Sequence, residues 1–108
     1  MPKESDIQKA ILQYLAARRI LAWRMNTGAV KTETRFFRFG SPGMADILAA
    51  PQSLDDWGVW QARFLWIECK TPKGKQSEAQ KSFQIQVEEQ NHTYIVARSI
   101  EDVAKWLA

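Results

Sequence analysis

A chain of 108 residues, 45% of them hydrophobic, carries enough apolar side chain for one compact core and not for two, so residues 1–108 are expected to form a single domain. Cys69 is the only cysteine and His92 the only histidine, which excludes an internal disulfide and leaves a Cys/His zinc cluster without ligands; any metal is expected on oxygen. The net charge of +3 favours polyanionic partners, and with no apolar run of the roughly 18 residues that cross a bilayer and a polar start at Met1–Gln8, the expectation is a cytoplasmic protein without a membrane span.

Taken in chain order, Ile7, Ile11, Tyr14 and Leu15 recur at helical spacing and predict an amphipathic helix from Glu4 to Arg18, with Pro2 tolerated before its first turn. A short strand is predicted at Ala22–Met25, a turn at Asn26-Thr27-Gly28, and a strand at Thr34–Phe39 that Gly40-Ser41-Pro42-Gly43 stops, the whole reading as a hairpin. Asp46–Ala50 is a brief apolar strand ended by Pro51. The turn residues Leu54–Gly58 then lead into one long run, Val59–Lys70, expected to be a central strand. Thr71-Pro72-Lys73-Gly74 breaks that run, Ser77–Gln90 reads as a second helix, Thr93–Arg98 as a strand, and Ser99 with Asp102 as the cap of a last helix.

The resulting order, α-β-β-β-β-α-β-α, suits an α/β or α+β sandwich in which helices cover a mixed β-sheet. The strand–helix–strand unit between Val59 and Arg98 is expected to cross over right-handed, which makes its two strands parallel.

Glu68 and Lys70 stand two apart on a predicted strand, so both side chains leave the same face while Cys69 points to the other. The strand before them, Phe64-Leu65-Trp66-Ile67, is strongly apolar, and an ionised pair at its end is costly to bury without a partner. Asp46 opens another apolar strand directly after a turn, where a carboxylate either caps the turn or binds something. Two carboxylates on neighbouring strands suit a hard divalent cation such as Mg²⁺ or Mn²⁺, and a lysine beside them suits the hydrolysis of a phosphodiester.

Asp46 followed by Glu68-Cys69-Lys70 resembles the signature of the PD-(D/E)XK nucleases, and the fuller pattern resembles the VRR-NUC (virus-type replication and repair nuclease) family. The residues that carry the likeness are Glu4 and Gln8 near the N-terminus, Gly40-Ser41-Pro42-Gly43-Met44-Ala45-Asp46, and Glu68-Cys69-Lys70 with Gly74, Ser77 and Gln80. Ala45 departs from the pattern, standing where the proline of the PD element is expected. The resemblance implies a restriction-endonuclease-like core, a Mg²⁺ or Mn²⁺ site, and cleavage of branched DNA by a homodimer, as in Holliday-junction resolution. It implies Asp46, Glu68 and the carbonyl of Cys69 as metal ligands and Lys70 as the residue that assists the attacking water.

Two assignments stay open on sequence. Gln80 either closes a capping box with Ser77 or reaches the site, and one side chain is not expected to do both. Glu4 joins the metal only if the first helix begins ahead of it; with Ser5 as cap it lies outside, and Asp6 is the competing acid. Arg24, Lys31, Arg35, Arg38, Lys73 and Lys75 are the expected phosphate contacts, with Phe36, Phe37 and Phe39 packed inward. Trp57, Trp60 and Trp66 serve either the core or a subunit interface. The rival functions are a restriction-type or flap endonuclease and a catalytically inactive DNA-binding module.

Overall fold

The computed structural model describes residues 2–25, 28–31, 36–39, 42–54 and 56–107, with 28–31, 36–39, 53–54 and 62 described by their backbone alone. Helix α1 (Glu4–Ala17) buries Ile7, Ile11 and Leu15, one apolar residue per turn. It starts where the Lys3 N–H donates to the Asp6 carboxylate at 3.2 Å. Its end is a left-handed cap: Arg19 has φ +60, the Arg19 N–H donates to the Ala16 carbonyl, and the Ile20 N–H reaches back to the Leu15 carbonyl at 2.9 Å.

The chain then enters a four-stranded mixed sheet built from β1 (Leu21–Arg24), β4 (Ile47–Ala50), β7 (Leu65–Cys69) and β8 (Thr93–Ala97), in that spatial order. β1, β4 and β7 pair antiparallel, while β7 and β8 are parallel, as a connection through helix α2 (Glu78–Glu89) requires. Alternation along β7 divides the interior. Leu65, Ile67 and Cys69 join Ile47, Ala49, Ala97 and the buried stripe of α1, with Val103 of helix α3 (Ile100–Leu107), in the main core. Trp66 faces the other way and meets Phe83 of α2 edge-on, centroids 5.1 Å apart, in a smaller core around Ala45, Val87 and Tyr94. Trp66 is therefore a core residue, and Ala45, fully buried, is the packing neighbour of Val87 and Tyr94. Among the described residues, no helix is long and apolar enough to cross a membrane.

The expected long strand from Val59 to Lys70 is divided. Its first part, β6 (Trp60–Ala62), folds back on β5 (Gln52–Leu54) as a separate hairpin, and the Arg63 N–H donates to the Pro51 carbonyl at 3.2 Å to close the root. An apolar run does not reveal which sheet it joins, so β6 and β7 read as one element in sequence. The hairpin expected between Ala22–Met25 and Thr34–Phe39 does not form: β1 pairs with β4, and β3 (Phe36–Phe39) pairs instead with β2 (Gly28–Lys31), whose Gly28 was expected in the turn. Asn26-Thr27, Thr34-Arg35 and Gly40-Ser41 lie outside the described residues. Among the described residues, seven strands thus precede α2 where four were expected. At the last helix Asp102 accepts from the Arg98 N–H at 2.8 Å, one residue further back than a box with Ser99 would place it.

Candidate metal centre

The same alternation that buries Leu65, Ile67 and Cys69 puts Glu68 and Lys70 on the opposite face, toward the start of α2. Glu68 is 1% exposed. Its Oε2 accepts from Nε2 of Gln80 at 3.1 Å and lies 3.9 Å from the Lys70 ammonium, while its Oε1 is the one buried side-chain atom without a hydrogen-bond partner among the described residues. Asp46 stands at the head of β4 with its Oδ2 fixed by the Cys69 N–H at 2.7 Å. In a strand the N–H and carbonyl of one residue leave on the same side, so the Cys69 carbonyl also faces the Asp46 side of β7.

Glu4 completes the group: one carboxylate oxygen from each of Glu4, Asp46 and Glu68 lies within 4.8 Å of the others. The choice between the two N-terminal acids follows from the cap, since Asp6 is occupied at the Lys3 N–H and Glu4 opens the helix on the carboxylate side. Burial, and then the neighbouring charge of Asp46, raise the Glu68 carboxyl to about 8, against the smaller opposing pull of Lys70. At neutral pH this site therefore favours a proton on Glu68 or a cation among the three carboxylates. An oxygen set of this width, with one buried oxygen left without a donor, fits a hard divalent ion, whose opposed ligands sit roughly 4–5 Å apart.

Gln80 does both things that one side chain was not expected to do. Its Oε1 accepts from the Ser77 N–H at 2.8 Å, the Ser77 hydroxyl accepts from the Gln80 N–H at 3.1 Å, and the remaining Nε2 is the donor to Glu68. The amide has two ends, and the cap uses only the oxygen. The helix cap is what aims the amide nitrogen at the carboxylate.

Gly43 makes this approach possible. It has φ +77, and a Cβ there would fall on the Ala79 carbonyl and lie 2.7 Å from the Gln80 nitrogen, so only glycine lets the turn before Asp46 press against the first turn of α2. Gly58 has φ +76 but open space around the same atom. Gly43→Ala should therefore cost about 3 kcal/mol or more, backbone strain plus overpacking, whereas Gly58→Ala should cost about 1 kcal/mol, strain alone. Equal shifts of the two urea midpoints would show that the close packing of Gly43 on α2 contributes nothing.

Of the expected phosphate contacts, Arg24 is exposed at the end of β1, next to Met25, whose N–H donates to the Asp46 carbonyl at 2.7 Å. Lys73 and Lys75 are exposed on the segment after Lys70. Lys31 and Arg38 lie on β2 and β3, and Arg35 lies outside the described residues. Sequence reasoning missed Arg98. Its Nη1 donates to the carbonyls of Thr71 at 2.6 Å and Gly74 at 2.7 Å, holding the turn that carries Lys73 beside the site. The usable signal was its position at the end of the strand parallel to the one ending in Glu68-Cys69-Lys70, since the Ala97 carbonyl accepts from the Lys70 N–H at 3.0 Å.

Compared with known proteins, the chain matches no family model, no curated protein and no solved structure.

Proposed function

We propose that this chain is a divalent-metal-dependent DNA endonuclease of the PD-(D/E)XK type with a restriction-endonuclease-like core, akin to the VRR-NUC family, acting on branched DNA and working as a homodimer in Holliday-junction resolution. The observation that carries the reading is the buried Glu68 carboxylate, grouped with Asp46 and Glu4, with its Oε2 beside the Lys70 ammonium and no donor on its Oε1. Glu68, Asp46, Glu4 and the Cys69 carbonyl would hold Mg²⁺ or Mn²⁺. Once bound, such an ion offsets charge on the scissile phosphate and lowers the pKa of a water.

The protein's own share is positional. Gln80 fixes one oxygen of Glu68 and leaves the other without a donor, and the Cys69 N–H fixes Asp46. Lys70 keeps its ammonium beside the carboxylates, where it orients the attacking water and takes part in moving its proton. Arg24, Lys73 and Lys75 around the site, with Lys31, Arg35 and Arg38 on the chain between β1 and β4, supply positive charge for the DNA backbone. The described residues of each chain offer one such centre, and resolving a four-way junction takes two symmetric nicks, so two copies act together.

The test is cleavage of linear duplex, single strand, flap and four-way junction DNA by the purified protein with Mg²⁺, Mn²⁺ or chelator. The expected result is metal-dependent cleavage fastest on the junction. Preference for flaps or linear duplex would favour a restriction-type or flap endonuclease instead, and no cleavage of any substrate with either metal would reduce the chain to a DNA-binding module.

A further inference from the structure

The two hairpins leave opposite ends of the four-stranded sheet. The β2–β3 excursion departs after Arg24 and returns at Asp46, the end that carries the carboxylates; the β5–β6 excursion departs after Ala50 and returns at Leu65, the far end. Their chemistry differs as sharply. In sequence the first carries Lys31, Arg35 and Arg38 against one acid, Glu33, whereas the second has Asp55 and Asp56 between its strands, with the exposed Asp56 in its turn and Arg63 at its root. Around those charges the second hairpin exposes Trp57 at 89%, Trp60 at 64%, Val59 at 55% and, just beyond the root, Phe64 at 47%.

This amounts to on the order of 400–500 Å² of apolar surface per copy, taking about 200 Å² for a whole aromatic side chain. The largest apolar patch of a monomer commonly spans about 300–600 Å² and is often functional, so exposed surface of this size marks a contact site. It is close to the apolar share of the ~800 Å² that each partner contributes to an interface of standard size. Arg18 and Arg19 approach the root at Gln52, but Asp56 stands beside Trp57 at the tip, where it repels phosphate, and the basic hairpin lies at the other end of the sheet, so nucleic acid is the weaker fit to the tryptophans. A second copy is favoured. Two such hairpins laid antiparallel about a two-fold axis bring the exposed Asp56 of each beside the exposed Arg63 of the other, so the surface is complementary to itself.

We infer that the β5–β6 hairpin is the homodimer interface of this protein, with Trp57 and Trp60 as its apolar centre and the crossed Asp56–Arg63 pairs at its rim. The inference rests on the proposed endonuclease only in that two copies act together, and it is tested on assembly alone. The hairpin lies at the end of the sheet away from the carboxylates, so disrupting it leaves metal binding intact.

Sedimentation of the full chain over micromolar concentrations should show a dimer, and Trp57→Ser with Trp60→Ser should raise its dissociation constant at least a hundredfold, two buried aromatic anchors being lost. Manganese binding by the same variant, read by calorimetry, should stay as in the parent. The decisive arm is a charge exchange. Asp56→Arg and Arg63→Asp should each weaken self-association about tenfold, since each sets like charges together twice, and an equimolar mixture of the two should form a heterodimer as tight as the parent, since both pairs are then opposite in sign. A chain that stays monomeric at ~100 μM, a dimer indifferent to the tryptophan changes, a mixture no tighter than either variant alone, or a monomer whose tryptophan variant loses DNA affinity would each overturn the assignment. Loss of cleavage with an intact dimer would instead count against the endonuclease and leave the interface standing.

Discussion

Glu68→Gln should make the chelator-treated chain more stable at pH 8 while abolishing both divalent-ion binding and cleavage. The sign follows from the proton. In the folded chain the Glu68 carboxyl is raised to about 8, from an ordinary value of 4.5 that the unfolded chain retains. Below about pH 4.5 both states hold the proton and the group contributes no difference. Between there and pH 8 the folded state keeps a proton that the unfolded state has released, so stability falls as pH rises, by on the order of 1.4 kcal/mol per pH unit at most. Above 8 the full penalty of an ionised, buried carboxylate remains. Glutamine has the same shape and no charge: its oxygen can accept from Gln80, and its amide nitrogen can donate toward Asp46.

A bound divalent ion should have the effect of the missing proton. Adding Mg²⁺ to the parent protein should raise stability little at pH 5 and most at pH 8, and should do nothing for the glutamine variant. Urea midpoints at pH 5, 6.5 and 8, with chelator and with Mg²⁺, give all the comparisons. A parent midpoint flat across that range in chelator, or a glutamine variant weaker than the parent at pH 8, would mean that Glu68 is stably ionised without a cation.

Such a residue was legible because it breaks the pattern around it. Glu68 and Lys70 interrupt a run of apolar residues at the period of a strand, and that period alone places them on one face. The apolar stripe of α1 and the parallel pairing of β7 with β8 were readable for the same reason, since a helix period and a strand–helix–strand unit leave few alternatives. The division of Val59–Lys70 was not readable. Trp60 and Trp66 have the same chemistry, and only the return of the chain to Gln52–Leu54 shows that one lies on an exposed hairpin and the other against Phe83. The roles of Gln80 and Asp6 were ambiguous because capping and site contacts call for the same residue types. Separating them needs the direction of individual atoms, which the backbone sets only once it is folded.

Lys70→Met should separate chemistry from binding at the centre. Methionine keeps most of the apolar stem that fills this buried position and removes only the ammonium, so the fold should hold. Asp46→Ala removes one carboxylate of the three and should abolish both manganese binding and cleavage. Lys70→Met should keep manganese binding within about tenfold of the parent, because two effects oppose each other. The ammonium repels the ion, yet it also eases the loss of the Glu68 proton that the ion must displace. Cleavage under single-turnover conditions should nevertheless fall by about 10²–10⁴, the usual contribution of a positioned acid or base. Gln80→Ala should show the reverse division: its amide donates to the carboxylate of Glu68, so manganese affinity should fall about 10–100-fold while the rate at saturating metal stays near the parent's. Calorimetric titration of Mn²⁺ and single-turnover cleavage of one labelled junction read both quantities on each variant. If Lys70→Met cleaved at the parent rate once metal was saturating, its ammonium would have only the electrostatic task of favouring an ionised Glu68, and the group that moves the water's proton would have to be sought among the carboxylates themselves.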